Sequence, residues 1–337
     1  MDTTGSVPVG STQGRAAARL DLGFFLPTLT DVPRGTTLGW KDHLAMVRAA
    51  EAAGFDSIWI ADETLFTFDD APPMGWWECW TTLSAVAAAT ARARVGTLVT
   101  CTNYRNPALI ARMAATVDEI SGGRLVLGLG AGYSERQFRA FGFPTDHLVG
   151  RFEESLSIIH GLLRDGHVTM EGRFQRAEHA VLFPPGPRPG AIPIMAGGTG
   201  PSIMRLAATY ADAWNLWLMG GECSVERAAQ FLGALDRACS EVGRDPATLK
   251  RSAAIMVALT DEPVFVGSRD WAAGALHGTP VALAEQLRRF QARGFDEVQV
   301  CVAPATVGAV EDFGHVVALV REATGAATVR QNRAGVG

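Results

Sequence analysis

No apolar run in this 337-residue chain approaches the ~18 residues that a membrane span needs, and candidates such as 253–259 are strand-sized. The five cysteines (Cys79, Cys101, Cys223, Cys239 and Cys301) form no CxxC pair, and their odd number argues against a disulfide framework. They read as reduced thiols packed inside a cytoplasmic protein. The seven histidines form no HExxH and no His/Cys cluster at ligand spacing, so metal catalysis has no ligand set. A basic stripe is missing too: Lys+Arg 30 against Asp+Glu 35 gives a net charge of −5, which argues against a nucleic-acid partner. There is no Walker motif. Residues 1–19 are rich in Gly, Ser, Thr and Ala without an apolar signal core, and read as a disordered arm rather than a secretory signal.

What remains is 47% apolar and 19% charged, the composition of a globular protein with a large core. Short β-branched runs alternate with longer helical ones. Strands are expected at 22–26 (LGFFL), 57–61 (SIWIA), 93–100, 124–129 (RLVLGL), 191–196 (AIPIMA), 211–217, 251–259 and 297–302. Helices are expected at 42–53, 81–91, 107–120, 151–163, 202–209, 225–242, 280–293 and 307–323. Strict alternation of eight and eight is the count of a single (β/α)8 TIM barrel, with a doubly wound sheet as the rival. The domain would run over 20–323, leaving 324–337 as a tail. One echo supports units of a single kind at both ends of the chain: Gly54-Phe-Asp-Ser-Ile-Trp-Ile recurs as Gly294-Phe-Asp-Glu-Val-Gln-Val. Two stretches interrupt the alternation. Residues 168–190 look like a hairpin and a Pro/Gly loop at the barrel's lower end, whereas 260–278 follow a strand and should rise from the catalytic face.

Active sites of such barrels sit where strands end and helices begin. The glycines of Gly128-Leu-Gly-Ala-Gly132 fail the dinucleotide pattern GxGxxG, because position 133 is Tyr. The turn Ala196-Gly197-Gly198-Thr199-Gly200 follows a strand and opens a helix, so its N–H groups and helix dipole suit a phosphate; a plain tight turn is the other reading. Trp76 and Trp77 beside a strand end suggest one apolar wall of a pocket, whereas Trp80 reads as core.

Four segments together resemble the bacterial luciferase-like superfamily, most closely its coenzyme F420 (deazaflavin)-dependent oxidoreductases: AEAAGFDSIWIAD (50–62), TTLSAVAAATARARVGTLVT (81–100), YRNPALIARMAATVDEISGGRLVLGLGAGYSERQF (104–138) and PIMAGGTGPSIMRLAATYADAWN (193–215). The resemblance covers about 20–323. It implies a flavin-like ring across the barrel mouth, with its phosphate on Gly197, Gly198, Thr199 and Gly200 and help from Ala131, Gly132, Tyr133 and Ser134. Asp62 matches a position near the coenzyme, Leu98-Val99 a non-prolyl cis peptide behind the ring, and Cys101 a threonine lining the site. A homodimer and a small-molecule substrate are further implications.

Two departures matter. The relatives commonly carry a proton-donating His after the Asp, where this chain has Glu63; Tyr133 stands where the sugar-phosphate dehydrogenases have a catalytic Glu. Both argue against glucose-6-phosphate oxidation. Glu63 is the first candidate for acid–base work and Tyr133 the second. A free Glu ionises at about 4.3, so a donor role at neutral pH needs a rise of about two units, which an apolar pocket supplies. Three functions stay open: F420-dependent hydride transfer to or from an apolar metabolite, an FMNH2-dependent monooxygenase, and a cofactor-binding pseudoenzyme.

Overall fold

Eight strands lie parallel and close on themselves: β1 (Asp21–Phe25), β2 (Ser57–Ile60), β3 (Arg94–Thr97), β4 (Leu125–Gly130), β5 (Ile194–Gly197), β6 (Ala213–Trp217), β7 (Lys250–Ala258) and β8 (Glu297–Ala303). The computed structural model describes residues 19–31, 36–266 and 269–334. Asp21 pairs with Glu297 where β1 meets β8, and Ile194 pairs with Leu127 where β5 meets β4. The ring has no open edge. β4 and β8 are buried at every residue, the pattern expected of strands covered on both faces.

The helices are α1 (Trp40–Ala52), α2 (Cys79–Ala89), α3 (Pro107–Ser121), α4 (Glu135–Phe141), α5 (Leu148–Asp165), α6 (Pro201–Tyr210), α7 (Val225–Ala229), α8 (Leu232–Glu241), α9 (Pro280–Ala292) and α10 (Val307–Ala334). Their boundaries follow local chemistry. Asn106 caps α3 by accepting from the N–H groups of Ala108 and Leu109, Pro107 takes the first turn, and Gly122 ends the helix at φ 66°. In α5, Phe152, Leu156, Ile159 and Leu163 recur at helical spacing and are buried. Among the described residues no helix is long and apolar enough to cross a membrane.

The repeated Gly-Phe-Asp has one structural job. Gly54 and Gly294 leave their helices at φ 88° and 90°, which a side chain would resist. Phe55 and Phe295 then enter the core. The Asp56 carboxylate accepts from the Leu22 N–H at 2.7 Å, and Asp296 accepts from the Arg251 N–H at 2.7 Å, so each Asp fixes the start of a neighbouring strand.

Two expected boundaries are corrected, and one helix is added. The helix expected over 225–242 divides into α7 and α8, and α4 was not foreseen. The closing helix continues to Ala334, so the expected tail at 324–337 is helical to that point. The disordered-arm expectation for 1–19 lies, apart from Arg19, outside the described residues. The hairpin in 168–190 is present as His167–Glu171 against Arg176–Val181.

Trp59 of β2 fills the lower barrel. Its indole N–H donates to Ser57 Oγ at 2.7 Å and lies 3.2 Å from Glu297 Oε1. The ring fits because the flanking strands carry glycine: a Cβ on Gly23 would lie 2.6 Å from Trp59 Nε1, and one on Gly96 would lie 2.5 Å from Trp59 Cζ3. The Gly96 Cβ would also meet the Val126 carbonyl oxygen at 2.8 Å, and backbone cannot swing aside. Overpacking a core ordinarily costs about 1–3 kcal/mol. Gly96→Ala is expected to lose at least that much stability, read as a lower urea midpoint; a wild-type midpoint would show that Trp59 can repack.

Candidate active site

The strand ends and the loops after them enclose a cavity of about 520 Å3 at the barrel mouth. Its floor is the segment after β3, where the Leu98–Val99 peptide is cis, as the resemblance implies. Val99 packs on glycine: a Cβ on Gly130 would lie 2.7 Å from Val99 Cγ2, and one on Gly197 3.1 Å from Val99 Cγ1. Gly132, at φ 77°, is required because a Cβ there would sit 2.5 Å from Phe138 and 2.6 Å from Cys101 Sγ. Cys101 itself is buried, and burial pushes its thiol up to about 12, so it is an inert part of the wall.

Two adjacent carboxyls after β2 have different surroundings. Asp62 is buried and accepts from Arg105 through both oxygens, at 2.6 and 2.9 Å, and from the Cys101 N–H at 2.9 Å. Burial raises its carboxyl from the ordinary value and Arg105 opposes the rise. Arg105 also donates to Glu78 at 2.7 Å, and Glu78 caps α2 by accepting from the Thr81 N–H. Asp62 borders the cavity, yet its oxygens are taken up by the protein. Its role is to tie the β2 loop to the β3 loop.

Among the described residues Glu63 has no cationic partner of this kind. It is half-buried and accepts from Gln137 Nε2 at 2.6 Å, with the Tyr133 hydroxyl as a second hydrogen-bond partner. Burial pushes its carboxyl up to about 7; the bonds from Gln137 and Tyr133 lower it, and the Asp62 charge raises it. Such a group can both give and take a proton at neutral pH. Tyr133 is 70% exposed at the rim, and burial of its hydroxyl together with the nearby Glu63 charge raises its pKa.

The glycine turn before α6 is built partly as expected. Gly197 and Gly198 face the cavity, whereas Ala196 is buried behind them and Thr199 and Gly200 lie exposed at its edge. The Gly198 N–H is spent on the Asn215 carbonyl at 3.1 Å, and the Gly198 carbonyl accepts from Trp214 Nε1 at 2.7 Å. In the first turn of α6, Pro201 has no N–H, and helix geometry leaves those of Ser202 and Ile203 without an intrahelical acceptor. Ser134 is not on the cavity wall; it caps α4 by accepting from the Gln137 N–H at 3.4 Å.

The aromatic wall differs from the expected one. Trp77 is 50% exposed and donates to the Leu38 carbonyl, while Trp76 packs edge-on behind Phe66. The cavity is walled instead by Phe66, Trp217 and Trp271. Trp271 comes from the irregular 260–278 stretch, which does rise to the mouth, and meets Trp217 edge-on at 6.4 Å. Reading the sequence also missed Gln137 and Tyr104, whose contacts are long-range and leave no local pattern.

A second cavity, about 560 Å3, lies at the opposite end of the barrel. Its arginines are paired: Arg94 with Asp21, Arg164 with Asp212, Arg188 with Asp118 and Arg251 with Asp236. This is a layer of ion pairs that joins strands, helices and loops at the lower end, in contrast to the apolar mouth.

The luciferase-like monooxygenase family pattern matches residues 20–264. A 5,10-methylenetetrahydromethanopterin reductase of Methanolobus tindarius is 29% identical over 239 residues, 66% of this chain and 67% of that protein. An F420-dependent glucose-6-phosphate dehydrogenase of Nakamurella multipartita is 35% identical over 173 residues, 49% of each, so the chain spans about half of that relative's length. Among solved structures, an F420-dependent secondary alcohol dehydrogenase with an F420-acetone adduct superposes with a TM-score of 0.71 over 90% of this chain and 99% of that one. At 19% identity that likeness shows the fold alone.

Removing one partner of a buried ion pair leaves an uncompensated charge, which costs about 3–5 kcal/mol. Arg105→Ala is expected to lose stability on that scale in urea unfolding, and Asp62→Asn in the same chain should recover part of it. Equal midpoints for Arg105→Ala and wild type would show that the pair is dispensable.

Proposed function

The chain belongs to the luciferase-like monooxygenase family, and we propose that it is a coenzyme F420-dependent oxidoreductase that moves a hydride between the deazaflavin and an apolar organic metabolite. The observation that carries the reading is Glu63, a carboxyl held at about 7 inside an apolar, aromatic cavity at the barrel mouth. Hydride transfer to or from a carbon bearing oxygen or nitrogen needs one proton moved in step at the heteroatom, and Glu63 is the cavity-facing group suited to move it. The F420-dependent relative of Nakamurella multipartita supports the coenzyme.

The residues fit a flat ring with a phosphate tail. Gly130 and Gly197 let Val99 lie close against β4 and β5, where a Cβ would push it into the cavity. The volume, about 520 Å3, lies in the range of small-ligand sites. When bound, the deazaflavin supplies a ring carbon that gives or accepts a hydride. The protein's own residues would do the rest: Leu98 and Val99 would back the ring, Phe66, Trp217 and Trp271 would keep water from the reacting atoms, and the N-terminus of α6 would hold the anion. Glu63 then holds a proton for the substrate heteroatom in the reductive direction, or takes one from it in the oxidative direction.

Direct titration of the purified protein with F420 and with FMN, each oxidised and reduced, tests the coenzyme. Micromolar F420 binding is expected, and micromolar binding of FMN alone would overturn it. Gly200 has open space around its Cβ position and an ordinary φ of −68°, so Gly200→Asp should fold normally. Its added charge at the α6 N-terminus should weaken coenzyme binding about ten- to a hundred-fold; undiminished affinity would remove the phosphate from that turn. Glu63→Gln should lower turnover by about 10²–10⁴ with little change in coenzyme affinity. With a midpoint of about 7, a reductive rate should fall as pH rises through 7, because the proton is lost, and an oxidative rate should fall as pH drops through 7, because the base is filled. Turnover unchanged in Glu63→Gln would move the proton step to another group.

A further inference from the structure

Residues Ser134-Glu-Arg-Gln137 spell a helix-capping box, in which the Gln at the third helical position ordinarily reaches back to the N-cap N–H. Half of the box forms, with Ser134 Oγ accepting from the Gln137 N–H. The Gln137 side chain turns away from it. It is 1% exposed and spans from the cavity wall to the β2 loop. Its Oε1 lies 3.3 Å from the Thr64 N–H, 3.0 Å from Thr64 Oγ1 and 2.8 Å from the Tyr104 hydroxyl. A backbone N–H can only donate, so the atom facing Thr64 is the amide oxygen. The amide nitrogen is thereby aimed at Glu63, and the 2.6 Å contact is a charge-assisted hydrogen bond whenever Glu63 is ionised.

We infer that Gln137 is the positioning residue for Glu63: anchored by Thr64 and Tyr104, its amide fixes the carboxyl toward the barrel mouth and stabilises the ionised form. Without that donor Glu63 would keep the Tyr133 hydroxyl as a partner but lose the bond that holds it from the α4 side, leaving Tyr133 to oppose burial and the Asp62 charge, both of which favour the proton. Arg105, which Glu78 also holds, offsets part of the Asp62 charge. Cys79 of α2, Cys101 and Tyr104 of the β3 loop, and Tyr133 after β4 are all raised above their ordinary values by burial, so none titrates near neutrality. The inference rests on the proposed proton-carrying role of Glu63, but its test does not require a substrate.

The test is a carboxyl titration of the full chain labelled with 13C at the glutamate side-chain carboxyl, the Glu63 resonance being identified by its loss in Glu63→Gln. The wild-type midpoint is expected near 7. Gln137→Met keeps the side-chain length and removes the donor; loss of one charge-assisted bond should raise the midpoint by about one to two pH units. Tyr104→Phe leaves the amide in place but loosens it, and should raise the midpoint by less. An unmoved midpoint in folded Gln137→Met overturns the inference, and if that variant does not fold, an unmoved midpoint in Tyr104→Phe does so. A shifted midpoint together with normal turnover in Glu63→Gln would overturn the proton role of Glu63 while leaving the positioning by Gln137 standing.

Discussion

The mouth of this barrel depends on one buried ion pair. Asp62 accepts two hydrogen bonds from the Arg105 guanidinium and one from the Cys101 N–H, and so binds the loop after β2 to the loop after β3. Several parts of the candidate site hang from those two loops. Glu63 follows Asp62 directly, Leu98 and Val99 precede Cys101, and Tyr104 precedes Arg105. A planar guanidinium suits the task because it meets both carboxylate oxygens and still has a donor for Glu78, which caps α2. One pair thus fixes two loops and a helix start, and the neighbouring carboxyl is left for chemistry.

The two ends of the barrel handle charge differently. At the lower end arginines pair with acids, Arg94 with Asp21 beside Trp59 and Arg164 with Asp212 just before β6. At the mouth the charges other than the Asp62 pair are few, and the walls are Phe66, Trp217 and Trp271. Separation of this kind follows from the parallel topology: strand starts can be cross-linked for stability, and strand ends are left to loops that can vary.

Much of the architecture was legible because each unit carries its own local signals. The Gly-Phe-Asp echo is readable since a left-handed glycine, a buried Phe and an Asp accepting from a strand N–H all belong to one short segment. The glycine turn was readable from its place between a strand and a helix, whereas the cis bond was accessible only through family resemblance. What stayed hidden was long-range. Trp217 and Trp271 come from different loops, and only closure of the barrel brings them together. The adjacent Trp76 and Trp77 looked more suggestive, yet they support the loop from behind and from outside. Gln137 was masked by a local pattern that explained it too well: its capping-box spacing accounts for its residue type, while tertiary contacts redirect the side chain.

Replacing an imidazole by a carboxyl at position 63 changes the electrostatics of the site, not only its proton donor. An imidazole is neutral or positive, whereas Glu63 is neutral or negative. A negative charge beside a carbon that gains a hydride opposes charge build-up on its heteroatom, and beside a carbon that loses one it assists departure. On the proposed hydride-transfer reading, the protonation state of Glu63 would bias the direction of transfer as well as supply the proton. A ring laid over the cavity would remove water from Glu63 and raise its carboxyl further, whereas Gln137 and Tyr133 limit that rise. On that reading the carboxyl stands close to the balance between acid and base, and covering the mouth would favour the protonated form.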